Sequence, residues 1–233
     1  MRIRFQQNLD DLKERLLVMA GMAEQSIQRA VEAYRVRDLS ICDLVDQGEM
    51  AINRMEREID QMALDLLAME QPMAIDLRFI LAVIKINADV ERVGDSARAI
   101  SDRVRELQSV PASDLPIDIP RTANLASGMV RKALQAFIEG DAEMAESVLS
   151  MDDNVDKLNS SAHATLLALM KREPAMAPQA LNALMISRAL ERVADHATNI
   201  AEDVIFWVRG ADVRHNAGAA AAGGVAGQAG RPA

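Results

Sequence analysis

An all-helical fold follows from three features of this sequence. It is poor in aromatic residues, its apolar positions recur in steps of three and four, and its prolines fall mostly at the breaks between those runs. Aromatics make up 3% of the 233 residues while half are apolar, with Met (14), Ala, Leu, Ile and Val dominant. Helices favour that mixture, whereas long-range β packing draws more on aromatic side chains.

Six helical segments can be placed in order. The first, about 5–34, carries the seam Phe5, Leu9, Leu12, Leu16, Met19, Ala23, Ser26 and Ala30, the narrow stripe of a helix packed at a shallow angle in a bundle. The second, about 38–69, repeats it through Ile41, Val45, Gly48, Ile52, Met55, Ile59, Met62 and Leu66, with Asp38 as the cap. Pro72 breaks the chain, because proline cannot continue a helical ladder, and a third segment runs about 75–107. Residues 109–120, with three prolines and no period, form a linker. A fourth segment spans about 121–139 and turns at Gly140-Asp141. The fifth carries the seam Met144, Val148, Met151, Val155, Leu158, Ala162, Thr165 and Leu169, and the sixth runs about 178–209 after Pro174. The methionines fall mainly on seams, which points to packing, and Phe206 and Trp207 read as a plug at the bundle end. The Ala/Gly-rich tail has nothing to bury and is expected to be disordered.

Two sets of three helices, each third helix preceded by a proline, indicate a duplication. ERVGDSARAISDRV (91–104) lies over ERVADHATNIAEDV (191–204) at an offset of 100, with seven of fourteen positions identical. Shared helix composition does not produce that agreement. The expected units are residues 1–108 and 121–210, joined by 109–120 and followed by the tail 211–233.

Charge and cysteine content narrow the function. With 26 Lys+Arg against 35 Asp+Glu, the net charge of −9 repels nucleic acid. A single cysteine, Cys42, allows no intrachain disulfide and suits a reducing compartment. There is no apolar signal core in the first 20 residues and no 18-residue apolar run to span a bilayer. A cytoplasmic protein without membrane insertion is expected.

Each third helix carries Glu-x-x-x-Asp: Glu91 with Asp95, and Glu191 with Asp195. Four helical residues add about 40° of rotation and about 6 Å of rise, so both carboxylates leave one face one turn apart. Ile86, Val93, Ala97, Ile100 and Val104 mark the opposite, core side, so the acids should be reachable from solvent. In a charged helix such a pair is commonly just a solvated face, with Arg92, Arg98 or Arg192 as counter-charge. Its retention in both copies raises cation binding, because hard and borderline metals take carboxylate oxygens. Asp152 and Asp156 on the fifth helix offer a second acidic ridge. The matching places on the second helix are Glu49 and Asn53, one carboxylate fewer. Asp102 and Glu202 lie two turns beyond the motif and read as structural, and His196 reads as a minor ligand or a surface residue. No Glu-x-x-His pair of the di-iron bundles occurs, and no phosphate-cradling glycine loop.

Two three-helix repeats with E-R-V-[GA]-D on each third helix, followed in the second by H-A-T-N-I-A-E (196–202), resemble the PhoU family over about residues 3–210. The resemblance implies two antiparallel three-helix bundles, usually dimeric. It implies negative regulation of phosphate uptake and of the phosphate-starvation response, by linking the ATPase of a phosphate ABC transporter to a sensor histidine kinase. It also implies iron or zinc clusters on paired acidic motifs, here Glu91, Asp95, Glu191 and Asp195 with Asp152 and Asp156; Glu49, from its place on the second helix, completes the candidate ligands. The first repeat departs from the pattern, with Asn53 for an acid, Ser96 for His196 and Ala99 for Asn199. Two competing readings are a carboxylate-bridged metalloenzyme, against which the missing Glu-x-x-His pairs argue, and a structural bundle whose acids only solvate it.

Overall fold

The computed structural model describes residues 2–70, 72–111 and 113–210. The tail expected to be disordered lies outside them from residue 211 onward. The described residues form six α-helices and no strand: α1 (Arg2–Val36), α2 (Leu39–Glu70), α3 (Ile75–Glu106), α4 (Ile119–Glu139), α5 (Ala142–Arg172) and α6 (Ala177–Arg209). Short 3-10 turns at Leu107–Ser109 and Pro174–Met176 follow α3 and lead into α6.

Local chemistry explains the boundaries. Asp38 accepts from the Ser40 N–H at 2.8 Å, the cap expected before α2. Helix α4 starts two residues earlier than the sequence suggested. Asp118 caps it by accepting from the Arg121 N–H at 2.9 Å, and Pro120 is tolerated in the first turn, where its missing N–H has no partner to lose. Gly140 ends α4 in the left-handed region at φ 64°, and Asp141 at once caps α5 through the N–H groups of Glu143 and Met144.

Helices α3 and α6 make the most extensive contact in the molecule. Lys85 Nζ donates to Asp203 Oδ1 at 3.0 Å, while Asp89 meets His196 and Asn199. Moving forward along α3 therefore means moving back along α6, and the two helices are antiparallel. Because they are equivalent members of the two repeats, this pairing creates an internal dyad. Helices α1 and α4 pack together on one side, where Lys13 donates to the Ile138 carbonyl and Arg131 pairs with Glu24. On the flanks α2 packs on α1 and α3, and α5 on α4 and α6. Both expected three-helix units are present, and one continuous apolar core with residues from all six helices joins them.

Phe79, Phe137 and Trp207 bring α3, α4 and α6 together at one end, with ring centroids 5.2–5.6 Å apart. Phe206 is not part of that plug, and its ring lies under the Lys85 ammonium instead. Met19 and Met129 are fully buried as packing residues, but Met50, Met69, Met73 and Met185 are exposed, so the methionine seam is only partial.

Candidate functional site

In each repeat the acidic motif faces a groove between the second and third helices. Glu91 is half-buried and Asp95 exposed on α3, and Glu191 and Asp195 hold the same positions on α6. None of the four makes an ion pair within 4 Å among the described residues. Their inner neighbours, Val93, Ala97, Ile100 and Val104, with Ile86 about two turns earlier, are all buried. The Gly94 of the motif sits on that inner side. A Cβ there would come within 2.9 Å of Ile52 Cδ1, so the glycine allows α2 to lie close against α3.

The second-repeat groove brings Asp152 and Asp156 of α5 to Glu191 and Asp195. Burial, followed by Asp156, Asp195, Asp153 and Glu191, pushes the Asp152 carboxyl up to about 6. Burial, then Asp195 and Asp156, raises Glu191, although Asn159 holds a hydrogen bond to it that acts the other way. Burial and Asp156 raise Asp195. Asp152 Oδ1 is buried with no hydrogen-bond partner.

The first-repeat groove is built differently. Glu49, the equivalent of Asp152, is buried, but Arg98 pairs with it at 3.0 Å and Asn53 donates to it at 2.8 Å. The counterpart of Arg98 at an offset of 100 is Thr198, whose hydroxyl donates to the Asp195 carbonyl. Two differences therefore decide whether the inner carboxylate is neutralised or left crowded among other acids: Arg98 against Thr198, and the donor Asn53 against the like charge of Asp156. The apparent deficit at Asn53 is corrected by Glu56, three residues on along the same face of α2. Burial raises Glu56, then Asp60, with a smaller contribution from Asp95, and Glu91 is raised by burial, Asp95 and Glu56. Glu56-x-x-x-Asp60 has the motif's own spacing and was readable in the sequence.

His196 is neither a groove ligand nor a plain surface residue. Its Nδ1–H donates at 2.9 Å to Asp89, a buried carboxylate on α3 that also accepts from Asn199 Nδ2 at 3.2 Å. Applying the offset to this cluster turns Asp89 into Ala189 and the pair His196/Asn199 into Ser96/Ala99. The departures of the first repeat are thus the two halves of one contact, polar on one side of the dyad and stripped of both partners on the other. Asp102 is exposed and stands 3.8 Å from Arg105.

The donor set of the second groove suits a hard or borderline cation, with acceptor-only carboxylates, raised proton affinities and an unpaired buried oxygen. Among the described residues no three ligating side chains converge on one point.

The geometry defines a duplicated helical-bundle protein with an internal dyad and a carboxylate-lined groove in each half. Its family is equally clear from comparison with known proteins. The PhoU domain model matches residues 16–104 and again 119–204, one match for each repeat. The Pseudomonas aeruginosa protein named phosphate-specific transport system accessory protein PhoU homolog is 37% identical over 91% of this chain and 88% of its own length. Its Escherichia coli counterpart is 29% identical over 92% and 89%. The crystal structure of PhoU from Pseudomonas aeruginosa superposes with a TM-score of 0.85 at 36% identity, covering 89% of this chain and all of that one. The phosphate transport system regulatory protein PhoU from Streptococcus pneumoniae gives 0.83 at 26%, covering 90% and 99%. This chain belongs to the PhoU family.

The crowding in the second groove has a measurable consequence. A folded-state value for Asp152 raised from 3.8 to about 6 makes the native state bind the extra proton. Stability from this group is therefore full below about pH 4 and is lost as pH rises through about 6. At pH 8, Asp152→Asn should raise the melting temperature by about 2–4 °C, on the order of 1 kcal/mol after solvent screening, and the gain should vanish near pH 4. Thr198→Arg, which copies Arg98, should act in the same direction. Thermal melts of both variants across pH 4–8 check this, and an equal or lower melting temperature at pH 8 contradicts it.

Proposed function

We propose that this protein is a cytoplasmic regulatory adaptor of phosphate homeostasis. It restrains phosphate uptake and the phosphate-starvation response by linking the ATPase of a phosphate ABC transporter to a sensor histidine kinase. The likeness along both repeats to proteins named as accessory to a phosphate-specific transport system is the observation that most supports this reading. The Streptococcus pneumoniae relative, named as regulatory, points the same way. The surface suits an adaptor. Leu81 and Leu181, equivalent positions of the two repeats, are 38% and 52% exposed and give each half an apolar foothold for a partner. No helix among the described residues is long and apolar enough to cross a membrane, so the transporter is met at its soluble subunit. The working form in this reading is a homodimer.

The acidic grooves belong to the same proposal as metal sites. Asp152, Asp156, Glu191 and Asp195 hold an iron or zinc ion or cluster in the second repeat. Glu91 and Asp95 do so with Glu56 in the first, where Glu49 is already committed to Arg98. When bound, the metal supplies positive charge that relieves the repulsion among the carboxylates and fixes the shape of the groove.

Deleting the gene should leave phosphate-starvation genes expressed in phosphate-rich medium. Tagged protein from replete cells should bring down the transporter ATPase and the kinase. Normal repression in the deletion strain would count against the adaptor role. For the grooves, elemental analysis of protein purified without chelators should find iron or zinc that a Glu191→Ala/Asp195→Ala variant loses. Equal metal content in the two proteins would remove these residues from the ligand set.

A further inference from the structure

The motif that supplies the groove carboxylates also supplies arginines, and these go elsewhere. A cleft of about 400 Å³ on the seam between α3 and α6 is lined by Arg92 and Arg98 from one helix and Arg192 and His196 from the other. Arg92 and Arg192 are the same residue of the two motif copies. The antiparallel pairing about the dyad brings them to one place, while Glu91 and Glu191 beside them serve grooves on opposite flanks. Three guanidinium groups against the two carboxylates of the lining, Asp95 and Asp102, reverse the sign of charge locally in a chain of net charge −9.

Much of the donor capacity of these arginines is uncommitted. Arg192 makes no ion pair within 4 Å among the described residues. Arg92 reaches Asp89 only at 3.8 Å, beyond hydrogen-bond length, and its side chain is 60% exposed. Arg98 places one donor on Glu49 at 3.0 Å and leaves the rest of its fork to solvent. Of the two carboxylates, Asp102 is already drawn toward Arg105 at 3.8 Å. Buried Ser96 adds a hydroxyl to the wall. Planar guanidinium forks match tetrahedral oxyanions in pairs of hydrogen bonds, and a multiply charged phosphoryl group gains more from two of them than a single carboxylate does.

We propose that this cleft is a binding site for a small phosphoryl anion, with Arg92 and Arg192 each holding one phosphoryl group and Arg98 supplying a third positive charge. The site borders the first acidic groove, with which it shares Asp95 and Arg98, and needs no metal. Its ligand is inorganic phosphate or a short phosphate chain. A short chain carries two phosphoryl groups and so can engage both arginines that line the cleft.

Isothermal titration of the full chain with orthophosphate and with pyrophosphate, at low ionic strength in EDTA, tests this. Saturable binding of one anion per chain is expected, tighter for pyrophosphate by about tenfold, since a second charge-assisted contact is worth about that factor. Arg192→Gln should weaken pyrophosphate binding by about tenfold, and Arg92→Gln/Arg192→Gln should abolish it. Asp102→Asn removes a repelling charge and should tighten binding a few-fold. If the double variant fails to fold, the Asp102→Asn result decides the matter, and unchanged or weaker binding overturns the proposal. It is also overturned by the absence of saturable binding, by an equal response to sodium chloride at matched ionic strength, or by binding that needs an added divalent cation. A folded double variant that binds as the wild type does would overturn it as well.

Discussion

The antiparallel contact between α3 and α6 is the constraint from which the other features follow. Each helix is the third of its repeat, and each buries one stripe inside its own bundle. A second face is left over, and the two leftover faces cover each other. The contact is held at one end by Phe79 and Trp207, along its length by Lys85 with Asp203, and near its middle by Asp89 with His196 and Asn199. Pairing equivalent helices head to tail generates the dyad. The dyad in turn sends the motif's glutamates outward to two flanking grooves and its arginines inward to a common cleft. A shift of one turn along α6 would separate Arg92 from Arg192 and leave Asp89 without partners in a buried place, at the cost of an unsatisfied carboxylate.

The repeats share one order of three helices but are unequal in chemistry, and the inequality is organised. The polar cluster at Asp89 occurs on one side of the dyad, and the equivalent positions on the other are Ala189, Ser96 and Ala99. On the flanks, Arg98 neutralises Glu49 in the first groove, while Thr198 leaves Asp152 with an unpaired oxygen in the second. The second groove is therefore the more anionic and the better poised to attract a cation. The first has become partly self-neutralised, with Glu56 and Asp60 carrying its acidity further along α2.

Much of this architecture was legible in the sequence. The three-and-four spacing of apolar residues marked six helices, and prolines and Gly140 marked their breaks, because those features act within a few residues of chain. The offset of 100 identified Glu91, Asp95, Glu191 and Asp195 as equivalent, and the core stripe through Val93 and Ala97 placed them on the opposite face. What escaped depends on which helix faces which. His196 was read from its neighbour Asp195, but its partner Asp89 lies 107 residues away on another helix. Arg92 and Arg192 passed as local counter-charges, since nothing in either helix alone says that their outer faces meet. Glu56 lies outside the strict register because the acidic ridge of α2 sits one turn further along its helix than that of α5. The linker's Asp118 and Pro120 looked like loop residues, although together they are a helix start.

The polar contact at the centre of the seam offers the most direct test of the whole account. A double-mutant cycle with Asp89→Ala and His196→Ala, measured by reversible chemical denaturation at pH 7, isolates the coupling between residues that only the antiparallel α3–α6 pairing brings together. A coupling of about 1–3 kcal/mol is expected for a hydrogen-bonded carboxylate and imidazole in a buried setting. Strict additivity of the two single variants would mean that these faces do not meet in solution, and the dyad, the central cleft and the placement of both grooves would fall with them.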